Sequence, residues 1–186
     1  MTQKKILLLG GSMQQIPSIK KAKELGLYTI TCDYLPENPG HKIADEYYNV
    51  STTDKEAVLQ LAQKLQIDGI VAYASDPAAP TAAYVAEKMG LPGNPYESVK
   101  ILTEKDLFRD FLHKHGLNCP YAHGYATYEE AYRDMENFHF PVMVKPVDSS
   151  GSKGVVKIYD KSELKAAVKE AISYSRSGRF IVEEFI

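Results

Sequence analysis

The chain has 186 residues, of which 25% are charged, with a formal net charge of -2. That length accommodates one large domain or two small ones. The balanced charge offers none of the basic excess that marks a nucleic-acid or anionic-membrane surface.

Ile6–Leu9 follows the polar start Thr2-Gln-Lys-Lys5 and is too short for a signal-peptide core or a membrane span, so a cytoplasmic location is expected. Cys32 and Cys119 stand far apart without metal-ligand spacing and read as buried thiols. The run Ile6–Leu9 ends in Gly10-Gly11-Ser12 and predicts a strand buried on both faces, as in a parallel sheet. A helix follows, with Ile16, Ile19, Ala22 and Leu25 at helical spacing and Gly26 as its stop. Strands are expected at Tyr28–Asp33, Tyr47–Val50 and Asp68–Ser75, with Pro36, Pro39 and Gly40 breaking the chain between the first two. Thr53-Asp-Lys-Glu56 reads as a capping box opening a helix through Leu65, and Asp76-Pro-Ala-Ala-Pro opens another to about Met89. Strands alternating with helices predict a doubly wound parallel sheet whose crevice lies at the strand C-termini.

Gly90-Leu-Pro-Gly-Asn-Pro95 is the clearest boundary. Residues 97–102 and 103–115 look helical, and Asn118-Cys-Pro120 breaks the chain again. A second unit then begins. It has a strand at Ala122–Ala126, a capping box Thr127-Tyr-Glu-Glu130 with a helix to about Phe138, and strands at Pro141–Lys145 and Val155–Tyr159. A helix opened by Asp160-Lys-Ser-Glu163 and a last strand, Arg179–Ile186, complete it. An apolar strand left as a free sheet edge would invite aggregation, and on that ground the natural protein is expected to continue beyond Ile186.

Two places carry chemistry. Alternation puts Met143 and Lys145 on one strand face, beside a small-residue loop, Asp148 to Gly154. One ammonium, an apolar neighbour and free loop N–H groups suit a nucleotide phosphate. The same residues also fit a plain hairpin with a solvated lysine. The second place is the crevice rim of Gly10, Gly11, Ser12, Asp33, Ser75 and Asp76, which would hold a small substrate. Ser12 and Gln15 stand where the dinucleotide fingerprint needs its second and third glycines, which weakens a nicotinamide reading. Turn and helix-cap chemistry would also explain Asp33 and Asp76.

In order, the chain offers the strand-helix start, Ala86-Glu-Lys-Met-Gly-Leu-Pro-Gly93, Thr103-Glu-Lys-Asp106, Pro141-Val-Met-Val-Lys-Pro146, the loop 148–154 and Val182-Glu-Glu-Phe-Ile186. Together these resemble the N-terminal part of the ATP-grasp enzymes, in particular carbamoyl-phosphate synthase large-chain-like proteins. The resemblance implies an α/β protein: a Rossmann-like pre-ATP-grasp domain over 1–92, a helical linker over 93–119, and a small α+β lobe over 120–186 that stops at the adenine hinge. It implies that Lys105 and Lys145 reach nucleotide phosphates and that Ser149, Ser150, Gly151, Ser152 and Gly154 belong to a flap closing over them. It also implies that Glu183 and Glu184 meet the adenine amino edge, Glu184 through its carbonyl, and that the Ile186 N–H binds a ring nitrogen. Glu104 here takes the place of the family's Asp before the lysine. The implied activity is ATP-dependent ligation: a carboxylate or bicarbonate is activated as an acyl phosphate and captured by an amine. ATP and Mg²⁺ are the implied cofactors, with the metal ligands expected downstream of residue 186, so residues 1–186 alone are expected to be inactive. Small-molecule acid and amine partners and a homodimer follow from the same resemblance, with neither nucleic acid nor membrane as a partner. The alternative is a non-catalytic nucleotide-binding or regulatory module.

Overall fold

The computed structural model describes residues 3–186. The chain divides into two compact units, Met1–Val99 and Lys100–Ile186.

The first unit is built on a parallel sheet. Its strands are β1 (Lys5–Leu9), β2 (Tyr28–Cys32), β3 (Glu46–Tyr48) and β4 (Gly69–Val71), in the order β3-β2-β1-β4. Parallel neighbours need crossovers, and α1 (Ile16–Glu24), α2 (Lys55–Leu65) and α3 (Ala79–Met89) follow β1, β3 and β4. The period of two in β1 sends Leu7 and Leu9 to one face, where Ile30, Val58, Leu61 and Val85 join them in a dry core. Ile6 and Leu8 face the other way, toward Pro17, Ala22, Leu25 and Val71, around a cavity of about 430 Å³. Each fully buried aliphatic side chain of the core contributes about 1.5–3 kcal/mol.

The strand ends differ from the expectation. β3 begins at Glu46 and stops at Tyr48, and β4 pairs only over Gly69–Val71. The chain turns away soon after β4, through Ala74 at φ 51, so Ala72–Ser75 cannot continue the ladder. The helix after residue 53 starts one residue later than the capping-box reading. Asp54 is its N-cap and accepts from the Ala57 N–H, while the Thr53 hydroxyl lies against Ser51. Cys32 is buried but Cys119 is only half-buried.

A helix α4 (Tyr96–Thr103) spans the division, and α5 (Lys105–Lys114) lies wholly in the second unit. Its strands are β5 (Ala122–Tyr125), β6 (Val142–Pro146), β7 (Val156–Ile158) and β8 (Phe180–Glu184), all antiparallel, in the order β5-β8-β6-β7. The helices α6 (Tyr128–Asp134) and α7 (Leu164–Ser173) pack on one face. Thr127 and Glu130 form the expected capping box at the start of α6. Val142, Val144, Ile158, Phe180 and Val182 turn to α6 and α7 and are almost fully buried. Met143, Lys145, Ile181 and Glu183 therefore share the opposite face. The last strand is not the free edge that its sequence suggests: β8 is paired on both sides, by β5 and by β6. No helix of the described residues is long and apolar enough to cross a membrane.

Candidate functional site

The face of the second sheet that carries Lys145 gathers charge from three elements. On α5, Lys105 and Arg109 are four residues apart and lie on one helix side. The backbone of Lys105 donates to Val147 O at 3.0 Å, and its Nζ donates to Ser149 O at 2.6 Å. Lys105 is thereby fastened to the root of the loop that follows β6. Lys145 Nζ donates to Glu183 Oε1 at 2.7 Å, and Arg109 Nε donates to Oε2 at 2.8 Å. Burial alone would raise the Glu183 carboxyl; the hydrogen bonds from Arg109 and Lys145 outweigh it and hold the group below the usual carboxylate range. Beside this group, Asp106 is almost fully buried and pairs with Arg179, which also reaches Glu104 at 3.6 Å.

The loop has the shape that its small residues allow. Gly151, Ser152 and Gly154 all lie in the left-handed region, at φ 69, 57 and 69. Such turns direct successive N–H groups into a concavity suited to anions. Residues 151–153 are exposed, while Gly154 is buried against Tyr174, whose Cδ2 would stand 2.9 Å from an added Cβ. Asp148 anchors the loop start. It accepts from the Ser175 hydroxyl at 2.9 Å, from Arg176 N at 3.2 Å and from Ser177 N at 2.7 Å.

At the end of β8 the side chains are tied off. Glu184 accepts from the backbone and ring of His139, both at 2.8 Å, and the Lys157 ammonium sits 3.4 Å from the Phe185 ring centroid. Glu184 N donates toward β5, to Tyr121 O, and Phe185 N toward β6, to Pro141 O. Ile186 is 92% exposed.

In the first unit, the rim residues converge at the C-terminal ends of the parallel strands. Gly10 N continues the ladder to Cys32 O at 2.8 Å. Asp33 accepts from Gly11 N at 3.3 Å, Leu35 N at 3.2 Å and Asn38 Nδ2 at 2.8 Å, so its carboxylate organises the loop after β2. Gly11 has no room for a side chain, since an added Cβ would lie 2.1 Å from the His41 ring. Ser12 and Gln15 form a second capping box, and the Gln15 amide reaches Tyr73 O at 3.0 Å and Ala74 O at 3.3 Å. Gln15 thus ties the turn after β1 to the segment after β4 and fills the space over Gly10, where an added Cβ would meet it at 3.2 Å. Ser75 is half-buried at the head of a 3-10 turn, and Asp76 is exposed in its first position.

Sequence reasoning missed Arg109, and it noted Gln15 only as standing in the place of a fingerprint glycine, not as a tie between two segments. The four-residue spacing from Lys105 signals the first, and the Ser-x-x-Gln pattern the second. Among the described residues no cluster of three or more His, Cys, Asp or Glu side chains could hold a metal ion.

Residues 122–186 match the family model described as D-ala D-ala ligase C-terminus. The carbamoyl phosphate synthase large chain of Thermotoga petrophila is 29% identical over 168 residues, covering 88% of this chain and 15% of that one. The formate-dependent phosphoribosylglycinamide formyltransferase of Sulfolobus acidocaldarius is 28% identical, covering 98% of this chain and 47% of its own. The crystal structure of L-amino acid ligase from Bacillus licheniformis superposes with a TM-score of 0.74 at 26% identity, over 100% of this chain and 45% of that one. The chain thus spans about half the length, or less, of these relatives.

Proposed function

We propose that this chain, which is of the ATP-grasp type and similar to carbamoyl-phosphate synthase large chains, supplies the phosphate-binding half of an ATP-dependent ligase that activates a carboxylate or bicarbonate. One observation carries the reading. Two lysines forty residues apart in sequence, Lys105 and Lys145, stand on the same side of the second unit as a loop with three left-handed residues. Lys105 and Lys145 would offset phosphate charge, and N–H groups of Ser149–Gly154 would take phosphate oxygens. ATP would supply the phosphoryl group for the acyl phosphate. For the adenine, the proposed contacts are the Glu184 carbonyl and the Ile186 N–H, which strand alternation continued past β8 would direct to the same side as Glu184 N. Glu183 would serve the site through the cations it pairs. The described residues provide no carboxylate set for Mg²⁺.

The rim of Gly10, Gly11, Ser12, Asp33, Ser75 and Asp76 in the first unit is the proposed substrate surface, taking a small acid or its amine acceptor. A pre-ATP-grasp role for that unit, over about residues 1–92, with 93–119 as linker and 120–186 as small lobe, belongs to the same reading, as do a cytoplasmic location and homodimerisation. A nicotinamide cofactor fits less well, because Gln15 fills the turn where its pyrophosphate would approach. A nucleotide-binding module without catalysis is the second reading.

Titration with ATP, with and without magnesium, tests the proposal. Lys145→Ala is expected to weaken binding about tenfold or more, the loss of a charge-assisted contact. Equal affinity in the variant, or no binding by the parent chain, would count against it. In the protein extended to the full length of its relatives, phosphate release that depends on an added carboxylate would separate the ligase from the silent module.

A further inference from the structure

The register of β6 and β8 sets Met143 opposite Glu183 and Lys145 opposite Ile181, so Lys145 and Glu183 are diagonal neighbours on one sheet face. Arg109 approaches the same carboxylate from α5. Each Glu183 oxygen has its own cation, at 2.7 Å for Lys145 and 2.8 Å for Arg109. The side chains of Arg109, Lys145 and Glu183 are 23%, 19% and 9% exposed, so water screens the group only weakly. Two cations on one carboxylate carry one surplus positive charge. A Lys145–Glu183 pair standing alone would carry none.

We propose that Arg109 is a positioning residue for Lys145: by occupying half of Glu183 it leaves the lysine ammonium available to an anionic ligand that Arg109 itself does not touch. The inference rests on the nucleotide reading above, with a phosphate chain as that ligand. The two cations are suited to different tasks. The guanidinium is a planar, permanently charged fork that holds a fixed geometry, whereas the ammonium is a compact charge on a flexible stem. Arg109 therefore stays on Glu183 while Lys145 can turn to an incoming phosphate. Without Arg109, both carboxylate oxygens face Lys145, and a phosphate has to compete with a contact ion pair for it. With Arg109 in place, the departure of Lys145 leaves Glu183 still paired, so the move strands no buried charge.

The test uses the full chain, isotope-labelled, in four forms: parent, Arg109→Gln, Glu183→Gln and the double variant. ADP is the ligand, followed by chemical-shift titration, and melting curves check that each form folds. Arg109→Gln is expected to weaken ADP binding about tenfold, the scale of one neighbouring charge in a partly buried site. In the Glu183→Gln background the same change is expected to cost little, because the carboxylate that recaptures Lys145 is gone. Arg109→Lys, which keeps the charge but not the fixed fork, should recover only part of the affinity. An equal loss in both backgrounds would overturn the proposal, since it would mean that Arg109 contacts the ligand or merely supports the fold. A second readout needs no nucleotide. Hydrogen exchange of the Lys145 ammonium should be slower than the parent's in Arg109→Gln and faster in Glu183→Gln. Unchanged exchange in Arg109→Gln also overturns the proposal. If the parent shows no ADP-dependent shifts, the nucleotide reading fails, and the Lys145 exchange rates still decide whether Arg109 governs that ammonium.

Discussion

Asp45 shows how much a single side chain can organise. It pairs with Lys23 from α1 and accepts from Thr29 at both N and Oγ1, at 2.8 and 2.7 Å, so one carboxylate joins a helix to the sheet. Burial would raise its carboxyl, but the bonds from Lys23 and Thr29 outweigh that and hold it at about 2. A carboxyl depressed by folding stabilises the native state above its unfolded value of about 3.9, and that stability is lost as the pH falls through the folded value. Asp45→Asn is therefore expected to cost about 1 kcal/mol at neutral pH, allowing for the solvent that reaches the pair. Urea unfolding at pH 7 and near pH 2 checks this: the gap between parent and variant should close at the acid end, and a gap that persists there would contradict it. Gln15 works on the same scale by a different means. Its amide bonds on both ends, to Ser12 and to the carbonyls of Tyr73 and Ala74, let a long polar side chain remain 5% exposed.

At the scale of elements, the two capping-box patterns make a natural comparison. Thr127 and Glu130 cap α6 reciprocally, whereas at α2 the cap is Asp54 and Thr53 stands outside the helix. Thr127→Ala and Asp54→Ala should each cost about 1 kcal/mol, and Thr53→Ala only a few tenths. Chemical denaturation of the three variants checks the order, and a loss at Thr53 equal to that at Asp54 would reverse the assignment. The comparison also shows what the sequence could reveal. Strand and helix types were legible because Ile6–Leu9 and the helical spacings of Val58, Leu61 and Ala62 are strong local patterns. The choice between adjacent Thr53 and Asp54 was not, since either side chain can cap and the surrounding packing selects one. The length of β4 was hidden for a similar reason. Ala72–Ser75 reads as strand, but the left-handed turn at Ala74 is set by contacts from Gln15, more than fifty residues away. In the candidate site, Lys145 and its loop were visible as a motif. Arg109 reads as an ordinary surface position on a helix, and only the fold brings its guanidinium to Glu183.

For the whole molecule, the decisive fact is that each unit closes a core of its own. Leu7, Leu9, Ile30, Val58 and Val85 fill one, and Val142, Val144, Leu164, Phe180 and Val182 fill the other. Both units fall in the size range in which small domains fold alone. Residues 1–99 and 100–186 are accordingly expected to fold when expressed separately, each with dispersed amide spectra and a cooperative melt; a collapsed spectrum from either piece would show that it depends on the other. The two pieces should differ in tempo. In the first unit each new strand finds a neighbour already made: β2 joins β1, and β3 joins β2. In the second, β5 and β6 lie on either side of β8, and the first pairing of β5 joins Ala122 to Glu183. During synthesis from the N-terminus, β5 must therefore wait without a sheet partner until β8 emerges. The hairpin of β6 and β7 can form meanwhile, but its inner edge stays open. The late strand acts as a keystone, and the interval before it arrives is when this lobe is most exposed to mispairing and to chaperones.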